Sequence, residues 1–200
     1  AEDGYLPDAV VNYLARLGWS HGDDEIFSRA QLIEWFNLDH LGKSAAQFDE
    51  AKLRWVNAQH IKAMPDDELA SLVAQQLKKR GITADERLVA ICALFKDRCD
   101  TTVVLADWAA KFYGDIQIKT EDLAQHLTDA VKPAMQTLVD KLSQSDWNKA
   151  TIALVIKEVL STHALKMPQL AMPARVLLMG TPQTPSLDAV ISLFSKDEAL

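Results

Sequence analysis

The 200-residue sequence predicts an all-α protein, and three observations carry that prediction. Apolar residues recur with helical spacing along nearly the whole chain. Capping residues and prolines stand where these stretches begin, and glycines stand where several of them end. No stretch combines strand-like alternation with a hairpin turn. We therefore expect a fold made of packed amphipathic helices.

Three helices are predicted in the first 64 residues, each with a signal at its start. The signals are Pro7 at a first turn, a Ser28–Gln31 capping box and the side chain of Asp49. The helices are expected to end near Gly18, Phe36 and Met64. Gly18 is assigned to the left-handed position that commonly follows a helix. The apolar face of the first helix is assigned to Leu6, Val10, Tyr13, Leu14 and Leu17.

Further helices are predicted in the rest of the chain, again from capping residues, prolines and glycines. Three are predicted from Asp66 to Gly81, from a Thr83–Glu86 capping box to Lys96, and from Thr102 to Tyr113, with Gly114 closing the last. Beyond them, Thr120 caps a short helix, Pro133 stands in a first turn, and Ser145 or Asp146 begins a helix that reaches His163. The last fifty residues are expected to be broken into short helices by Pro168, Pro173, Pro182 and Pro185.

Breaks in this pattern divide the chain into three predicted segments. Pro65 interrupts the helices once, and the polar stretch 114–119 interrupts them again. The segments are residues 1–64, 65–115 and 116–200.

Composition excludes several classes of protein. Forty-eight per cent of the residues are hydrophobic and 24% are charged, as in ordinary globular proteins. The apolar runs are far shorter than the roughly 20 residues that cross a bilayer, so we expect no membrane partner and a cytoplasmic location. Cys92 and Cys99, seven positions apart on a helix, are expected to stay reduced. The net charge of -7 argues against indiscriminate nucleic-acid binding but leaves a specific RNA reader open.

The sequence shows no arrangement of residues for catalysis or metal binding. It lacks a phosphate-binding glycine loop, a nucleophile elbow and zinc-ligand spacing, and its five histidines form no close pair. Each histidine is interpreted as a surface or half-buried polar residue. We therefore predict no catalytic residues, no metal ligands and no cofactor within this chain.

The segment FDEAKLRWVNAQHIK, residues 48–62, carries an unusual pair of side chains. Trp55 and Asn57 lie on neighbouring faces of the predicted helix, where half-buried they would fix an inter-helix contact. Plain helix packing is the favoured interpretation of Trp55. Trp108 and Trp147 are likewise assigned to the core.

Four segments together resemble the bacterial-type glutamyl-tRNA synthetase. They are GYLPDAVVNYLARLGWS at residues 4–20, FDEAKLRWVNAQHIK at 48–62, DRCDT at 97–101 and MPARVLLMGTPQTPSLDAV at 172–190. They occur in the family's order and spacing, and the resemblance covers essentially all 200 residues. The first segment is similar to the one that follows the family's KMSKS-like loop.

The resemblance implies a segment cut from a longer chain. The family's N-terminal half holds ATP, Mg and glutamate with the HIGH and KMSKS-type motifs, and neither motif occurs here. This chain alone is therefore expected to be inactive in glutamate activation. By resemblance, residues 1–64 form a stem-contact region, and 65–115 and 116–200 form two anticodon-binding helical subdomains. The implied partners are tRNA(Glu) and the chain's own catalytic domain, and a monomer is expected.

The resemblance also implies the residues that contact RNA. Arg98 matches an arginine that reads the third anticodon base and is associated with rejection of the glutamine anticodon. Arg175, Thr184, Pro185 and Leu187 match the group around the first anticodon base. From the residues alone, Arg98 could equally pair with Asp97 or Asp100, and Thr184 with Pro185 could simply start a helix.

Two hypotheses from different classes remain. The first is the tRNA-binding part of a glutamate–tRNA ligase, which recognises the anticodon arm so that the catalytic half attaches glutamate in an ATP-dependent reaction. The alternative is a synthetase-derived helical module that binds proteins and reads no RNA. An independent enzyme is disfavoured by the missing catalytic residues.

Overall fold

The structure is a computed structural model that describes residues 3–42 and 47–200. Those residues contain helices and isolated bridges but no strand, which confirms the all-α prediction. The α-helices are α1 (Pro7–Gly18), α2 (Arg29–Trp35), α3 (Glu50–Ala63), α4 (Asp66–Lys79), α5 (Leu88–Phe95), α6 (Thr102–Ala110), α7 (Thr120–His126), α8 (Lys132–Ser143), α9 (Lys149–Thr162), α10 (Met167–Met179), α11 (Leu187–Leu193) and α12 (Lys196–Ala199). Turns of 3-10 helix follow α5 and α6, at Lys96–Arg98 and Lys111–Tyr113.

The chain divides into two compact units, Ala1–Ala109 and Ala110–Leu200, here called unit 1 and unit 2. The predicted division into three segments stays a prediction. Within the described ranges, no helix has both the length and the apolar character needed to cross a membrane.

In unit 1, α1 contacts α3 and α4 contacts α5, and buried side chains of α3, α4, α5 and α6 form the core. Its largest fully buried side chains are Val56, Ile61, Leu69, Leu77, Ile91, Phe95 and Leu105. Each such side chain contributes roughly 1.5–3 kcal/mol by leaving water. Trp108 is half-buried and stacks on Phe95 with ring centroids 5.1 Å apart, in agreement with its assignment to the core.

The core of unit 2 is formed by α8, α9, α10 and α11. Its buried side chains are Ala134, Leu138, Leu142, Ile152, Val155, Ile156, Val159, Leu170, Ala171, Ala174, Leu187 and Ile191. Trp147 packs against this cluster, and its indole Nε1 donates a hydrogen bond to the carbonyl of Phe194 at 2.8 Å. The assignment of Trp147 to the core is therefore confirmed.

Several predicted helix signals are confirmed. Ser28 and Gln31 form the capping box of α2, and the carboxylate of Asp49 accepts a hydrogen bond from the backbone at the start of α3. Pro7 and Pro133 stand in the first turns of α1 and α8. Gly114, with φ of 93°, ends the helical stretch that begins at Thr102.

Other predicted signals are wrong. Thr83 and Glu86 do not form a capping box, and α5 begins only at Leu88. The Asp85 carboxylate accepts a hydrogen bond from the Arg87 amide at 3.1 Å, and this local turn takes the place of the expected first helical turn. Gly18 is the last residue of α1 and is not left-handed.

The starts of two helices in unit 2 also differ from the prediction. Thr120 is the first helical residue of α7 and does not cap it. The cap of α9 is Asn148, whose side-chain oxygen accepts from the Thr151 amide at 2.9 Å, so neither Ser145 nor Asp146 begins that helix. Asn is among the strongest N-cap residues, which accounts for the later start.

Pro173 does not break the chain as expected, because it lies inside α10. It lacks the amide that would bond to the carbonyl four residues earlier. That carbonyl belongs to the first turn of the helix, and Pro173 is itself buried with Leu170, Ala174 and Val176. Packing of this face stabilises the helix against the local cost of the proline.

The buried face of α1 is rotated from the predicted one. Ala9, Asn12 and Tyr13 are buried, whereas Leu14 is 54% exposed. Asn12 turns inward because its amide group donates to the carbonyl of Glu25 and accepts from the amide of Phe27. Hydrogen bonding of a polar side chain therefore decides this orientation, which a purely apolar pattern misses.

Both cysteines are expected to resist thiol reagents in the folded chain. Cys92 and Cys99 are free and buried, and burial raises the pKa of each thiol from its usual value to about 12. Only about one thiol in ten thousand is then ionised at pH 8, and the thiolate is the reactive form. We expect slow labelling of the native chain by a chromogenic disulfide reagent and rapid labelling of both thiols in denaturant. Rapid native labelling would contradict the buried placement.

Candidate functional site

Arg98 is exposed at the end of the 3-10 turn Lys96–Arg98, directly after α5. The start of this turn is fixed by Lys96. The ammonium group of Lys96 donates to the carbonyl of Met64 at 3.1 Å and lies 2.7 Å from a carboxylate oxygen of Asp66. The turn that carries Arg98 is therefore tied to the beginning of α4.

The residues after Arg98 are held by a buried amide. Asn57 on α3 is fully buried, and its Nδ2 donates to the carbonyl of Asp100 at 2.5 Å. The backbone amide of Thr102 donates to the carbonyl of Gly4 at 3.0 Å. The segment that follows Arg98 is thus fastened to both α3 and the start of the chain.

A surface ion pair lies beside this segment. Nη1 of Arg54 is 3.2 Å from a carboxylate oxygen of Asp100, and Nη2 is 3.1 Å from Glu50. These hydrogen bonds, first that to Asp100 and then that to Glu50, raise the pKa of the Arg54 guanidinium above its usual value. Asp100, which the sequence offered as a partner for Arg98, therefore has a partner on α3.

The inter-helix contact predicted at Trp55 and Asn57 is made by Asn57. Trp55 is 40% exposed, with the Lys52 ammonium 4.1 Å from its ring centroid, so the packing interpretation of Trp55 is wrong. Sequence reasoning placed Asn57 in a contact but missed what it holds. The available signal was an amide among apolar positions of one helix, since Leu53, Val56 and Ile61 are also buried.

In unit 2, the structure brings together the other four predicted residues. The carbonyl of Pro185 accepts hydrogen bonds from Nη2 of Arg175 at 3.2 Å and from Oγ1 of Thr184 at 2.9 Å. Leu187, two residues later, is the first residue of α11 and is 3% exposed. The turn between α10 and α11 is therefore joined to the middle of α10 through Arg175.

Thr184 and Pro185 do not start a helix. The N-cap position of α11 is Ser186, without a side-chain capping bond, and α11 begins at Leu187. Thr184 is 6% exposed, and its hydroxyl bonds to the next residue's carbonyl. The helix-start interpretation of this pair is wrong, because these residues shape the turn before α11.

A groove beside this turn has an apolar floor and charged edges. Its lining is formed by Ala150, Ala153, Leu154, Ile156, Lys157, Met167, Arg175, Ser186, Leu187 and Asp188. Two of these residues, Leu154 and Met167, are 66% and 47% exposed. The charged residues of the lining are Lys157, Arg175 and Asp188, so two cations and one carboxylate border an apolar surface that suits a flat ring.

The described ranges 3–42 and 47–200 contain no group of three or more His, Cys, Asp or Glu residues that could hold a metal ion. His60 is half-buried, and burial lowers the pKa of its imidazole below the usual value. Its Nε2 lies 2.8 Å from Oδ1 of Asn12, which is a structural contact of the kind expected for an isolated histidine.

Comparison with protein families gives two matches along the chain. Residues 68–200 match the family described as anticodon binding domain. Residues 1–55 match the family described as tRNA synthetases class I (E and Q), catalytic domain.

Curated proteins similar to this chain are glutamate–tRNA ligases. That of Albidiferax ferrireducens is 69% identical over 199 residues, which cover 100% of this chain and 43% of that protein. That of Leptothrix cholodnii is 64% identical over 202 residues, with 100% and 43% covered. The chain thus spans less than half the length of these relatives.

Solved structures of two such ligases are similar in fold. A glutamate tRNA ligase from Elizabethkingia meningosepticum, crystallised in complex with its amino acid, superposes with a TM-score of 0.88 at 26% identity, covering 98% of this chain and 40% of that one. The glutamate–tRNA synthetase of Elizabethkingia anophelis gives 0.84 at 26% identity, covering 98% and 39%.

Proposed function

The chain belongs to the anticodon binding domain family, and from this membership we propose that it is the part of a glutamate–tRNA ligase that binds the anticodon arm of tRNA(Glu). Binding there places the acceptor end of the tRNA in the catalytic domain, which attaches glutamate with ATP and Mg. The chain alone is proposed to be inactive in glutamate activation. The full protein is proposed to be a cytoplasmic monomer.

We also propose the three segments as functional divisions. Residues 1–64 act as the stem-contact region, and residues 65–115 and 116–200 act as the two anticodon-binding subdomains. The family matches support only a change of domain between residues 55 and 68, where the catalytic-domain match ends and the anticodon-binding match begins.

The observation that carries the proposal is the grouping around the Pro185 carbonyl. Arg175, Thr184, Pro185 and Leu187 lie within one turn and its neighbouring helix, beside an apolar groove. Single-stranded RNA loops are read by stacking of splayed bases and by hydrogen bonds to their edges. The groove, whose lining includes Arg175 and Leu187, offers a stacking surface for such a base. We assign this group to the first anticodon base.

Arg98 is assigned to the third anticodon base. Arg98 is an exposed residue, and a guanidinium is a group that can donate two parallel hydrogen bonds or stack on an unpaired base. Because it matches the discriminating type of the family, we propose that it favours the glutamate over the glutamine anticodon. The chain carries a net charge of -7, so total attraction to RNA is weak and affinity falls with added salt.

Arg98→Ala is expected to weaken discrimination between two anticodons. We would titrate this chain with tRNA(Glu) and with the same tRNA carrying the third anticodon base of the glutamine tRNA. Loss of Arg98 should lower the affinity ratio by about 5- to 150-fold, as for a base contact worth about 1–3 kcal/mol. Unchanged discrimination would rule out the reading role.

The matched control for that titration is Arg29→Ala. It removes the same charge from another exposed arginine of unit 1, one that pairs with Asp8 at 2.8 Å. Any effect of this control should reduce both affinities alike and leave their ratio unchanged.

One observation favours the protein-interaction alternative. Four apolar side chains on and after α2 are strongly exposed, namely Ile33, Phe36, Leu38 and Leu41, by 47 to 74%. Such a patch is typical of a surface that packs against another protein. Absence of RNA binding together with retained protein binding at this patch would favour the alternative function.

A further inference from the structure

We propose that Asn57 is a positioning residue for Arg98, which it holds in place for base reading through the backbone of Asp100. This inference rests on the proposed role of Arg98 at the third anticodon base. It is carried by a buried network of Gly4, Leu6, Asn57, Asp100 and Thr102, here called the Asn57 clamp.

The amide of Asn57 bonds on both of its sides. Its Oδ1 accepts from the backbone amide of Leu6 at 2.8 Å. Its Nδ2 donates to the carbonyl of Asp100 at 2.5 Å and to that of Gly4 at 3.4 Å. The side chain is fully buried, and in that environment each polar partner is costly to leave unpaired. One side chain thus joins two distant parts of the chain. Gly4 and Leu6 precede Asn57 by 53 and 51 positions, and Asp100 follows it by 43.

Gly4 closes the clamp from the other side. Its carbonyl also accepts from the backbone amide of Thr102 at 3.0 Å and from the Thr102 hydroxyl at 3.3 Å. The approach is close, because a Cβ on Gly4 would lie 2.7 Å from the backbone nitrogen of Val103. The segment after Arg98 is therefore held against the start of the chain as well as against α3.

The clamp reaches Arg98 through one intervening residue. Cys99 is 3% exposed, and its thiol donates to the carbonyl of Phe95 at 3.3 Å. On the other side of Arg98, Lys96 binds the Met64 carbonyl. The backbone on both sides of Arg98 is thus fixed, so the Arg98 side chain projects from a fixed position. An arginine whose backbone is held in this way loses less conformational entropy when it binds RNA, which improves selectivity for the base that fits.

The test compares Asn57→Ala with a milder variant, Thr102→Val. The first removes the centre of the clamp, whereas the second removes one hydroxyl donor and keeps the side chain's shape. Thr162→Val is the matched control, because its hydroxyl also donates to a carbonyl, that of Glu158 at 2.9 Å, but on an exposed part of unit 2. Circular dichroism would first establish that each chain is folded.

The readout is a pair of affinity ratios for RNA stem-loops that carry the tRNA(Glu) anticodon. One ratio compares the parent loop with a loop changed at the third anticodon base, and the other with a loop changed at the first. Asn57→Ala should lower the third-base ratio by at least about fivefold, the lower end for a base contact, and leave the first-base ratio unchanged. Thr102→Val should act in the same direction with a smaller effect. A merely structural role would weaken binding to every loop and change neither ratio.

Arg98→Ala separates this inference from the function on which it rests. If Arg98→Ala abolishes third-base discrimination and Asn57→Ala adds nothing in that background, the two residues act as one unit. If Arg98→Ala abolishes discrimination but folded Asn57→Ala and Thr102→Val retain it, the positioning role is overturned and the proposed function stands. If Arg98→Ala leaves third-base discrimination unchanged, both the positioning role of Asn57 and the proposed reading role of Arg98 are overturned. Should Asn57→Ala be unfolded, Thr102→Val decides alone.

Discussion

Asn57→Asp is expected to lower the free energy of unfolding of unit 1 by about 3–5 kcal/mol at pH 7, although the two side chains have nearly the same shape. The carboxylate keeps an acceptor for the Leu6 amide but loses both donors. Its charge would be fully buried against the carbonyls of Gly4 and Asp100. Neither solvent nor a cation within this network would offset that charge. Denaturant unfolding followed by circular dichroism measures the loss.

The loss of unfolding free energy caused by Asn57→Asp should become smaller as the pH falls. Burial and the facing carbonyls raise the pKa of the introduced carboxyl in the folded chain above its unfolded value of about 3.9. Destabilisation is therefore complete above the folded pKa and diminishes as the pH approaches 4. Asn148→Asp is the control, because Asn148 is an exposed N-cap and Asp caps equally well. An equal loss in both variants, or no pH dependence, would contradict the buried clamp.

Gly180→Ala is expected to lower the free energy of unfolding of unit 2 by about 2–5 kcal/mol, in two parts. Gly180 ends α10 in the left-handed conformation, with φ of 68°, which costs an alanine about 1–2 kcal/mol. A Cβ there would also lie 2.5 Å from the backbone oxygen of Gln117. That oxygen belongs to the main chain, so the loop must shift to make room.

Gly114→Ala isolates the first part of that effect, the conformational cost. Gly114 is also left-handed, with φ of 93°, but a Cβ there meets nothing within 4 Å. This control should lose only about 1–2 kcal/mol, the conformational cost. Equal losses in the two variants would show that the contact with Gln117 carries no strain.

Local chemistry made much of the fold predictable from sequence. Asp49, Pro133 and the Ser28–Gln31 pair act on neighbours within one turn, so their roles depend little on the rest of the molecule. The break predicted at Pro173 does not occur, because the local cost of the proline is offset by the burial of its own helix face. The structure also starts α5 later than predicted, because Asp85 binds a nearer amide than the helix would offer.

For the candidate site, too, local features were predictable from the sequence and long-range contacts were not. The family resemblance seen in four segments is confirmed, while the roles it implies for Arg98 and Arg175 stay predictions. No local pattern could show that Asn57 bonds to Gly4 and Asp100, because these partners lie about 50 positions away along the chain. Long-range hydrogen bonds of a buried amide leave no periodic trace in a sequence.

The hydrogen bond from Trp147 to the Phe194 carbonyl has an optical consequence. Trp147 is the only tryptophan of residues 110–200, and the other four lie in residues 1–109. The indole in unit 2 is half-buried against its core, so its fluorescence should shift to longer wavelength when that core opens to water. A chain retaining Trp147 alone would report the unfolding of unit 2 by a single emission signal, separately from unit 1.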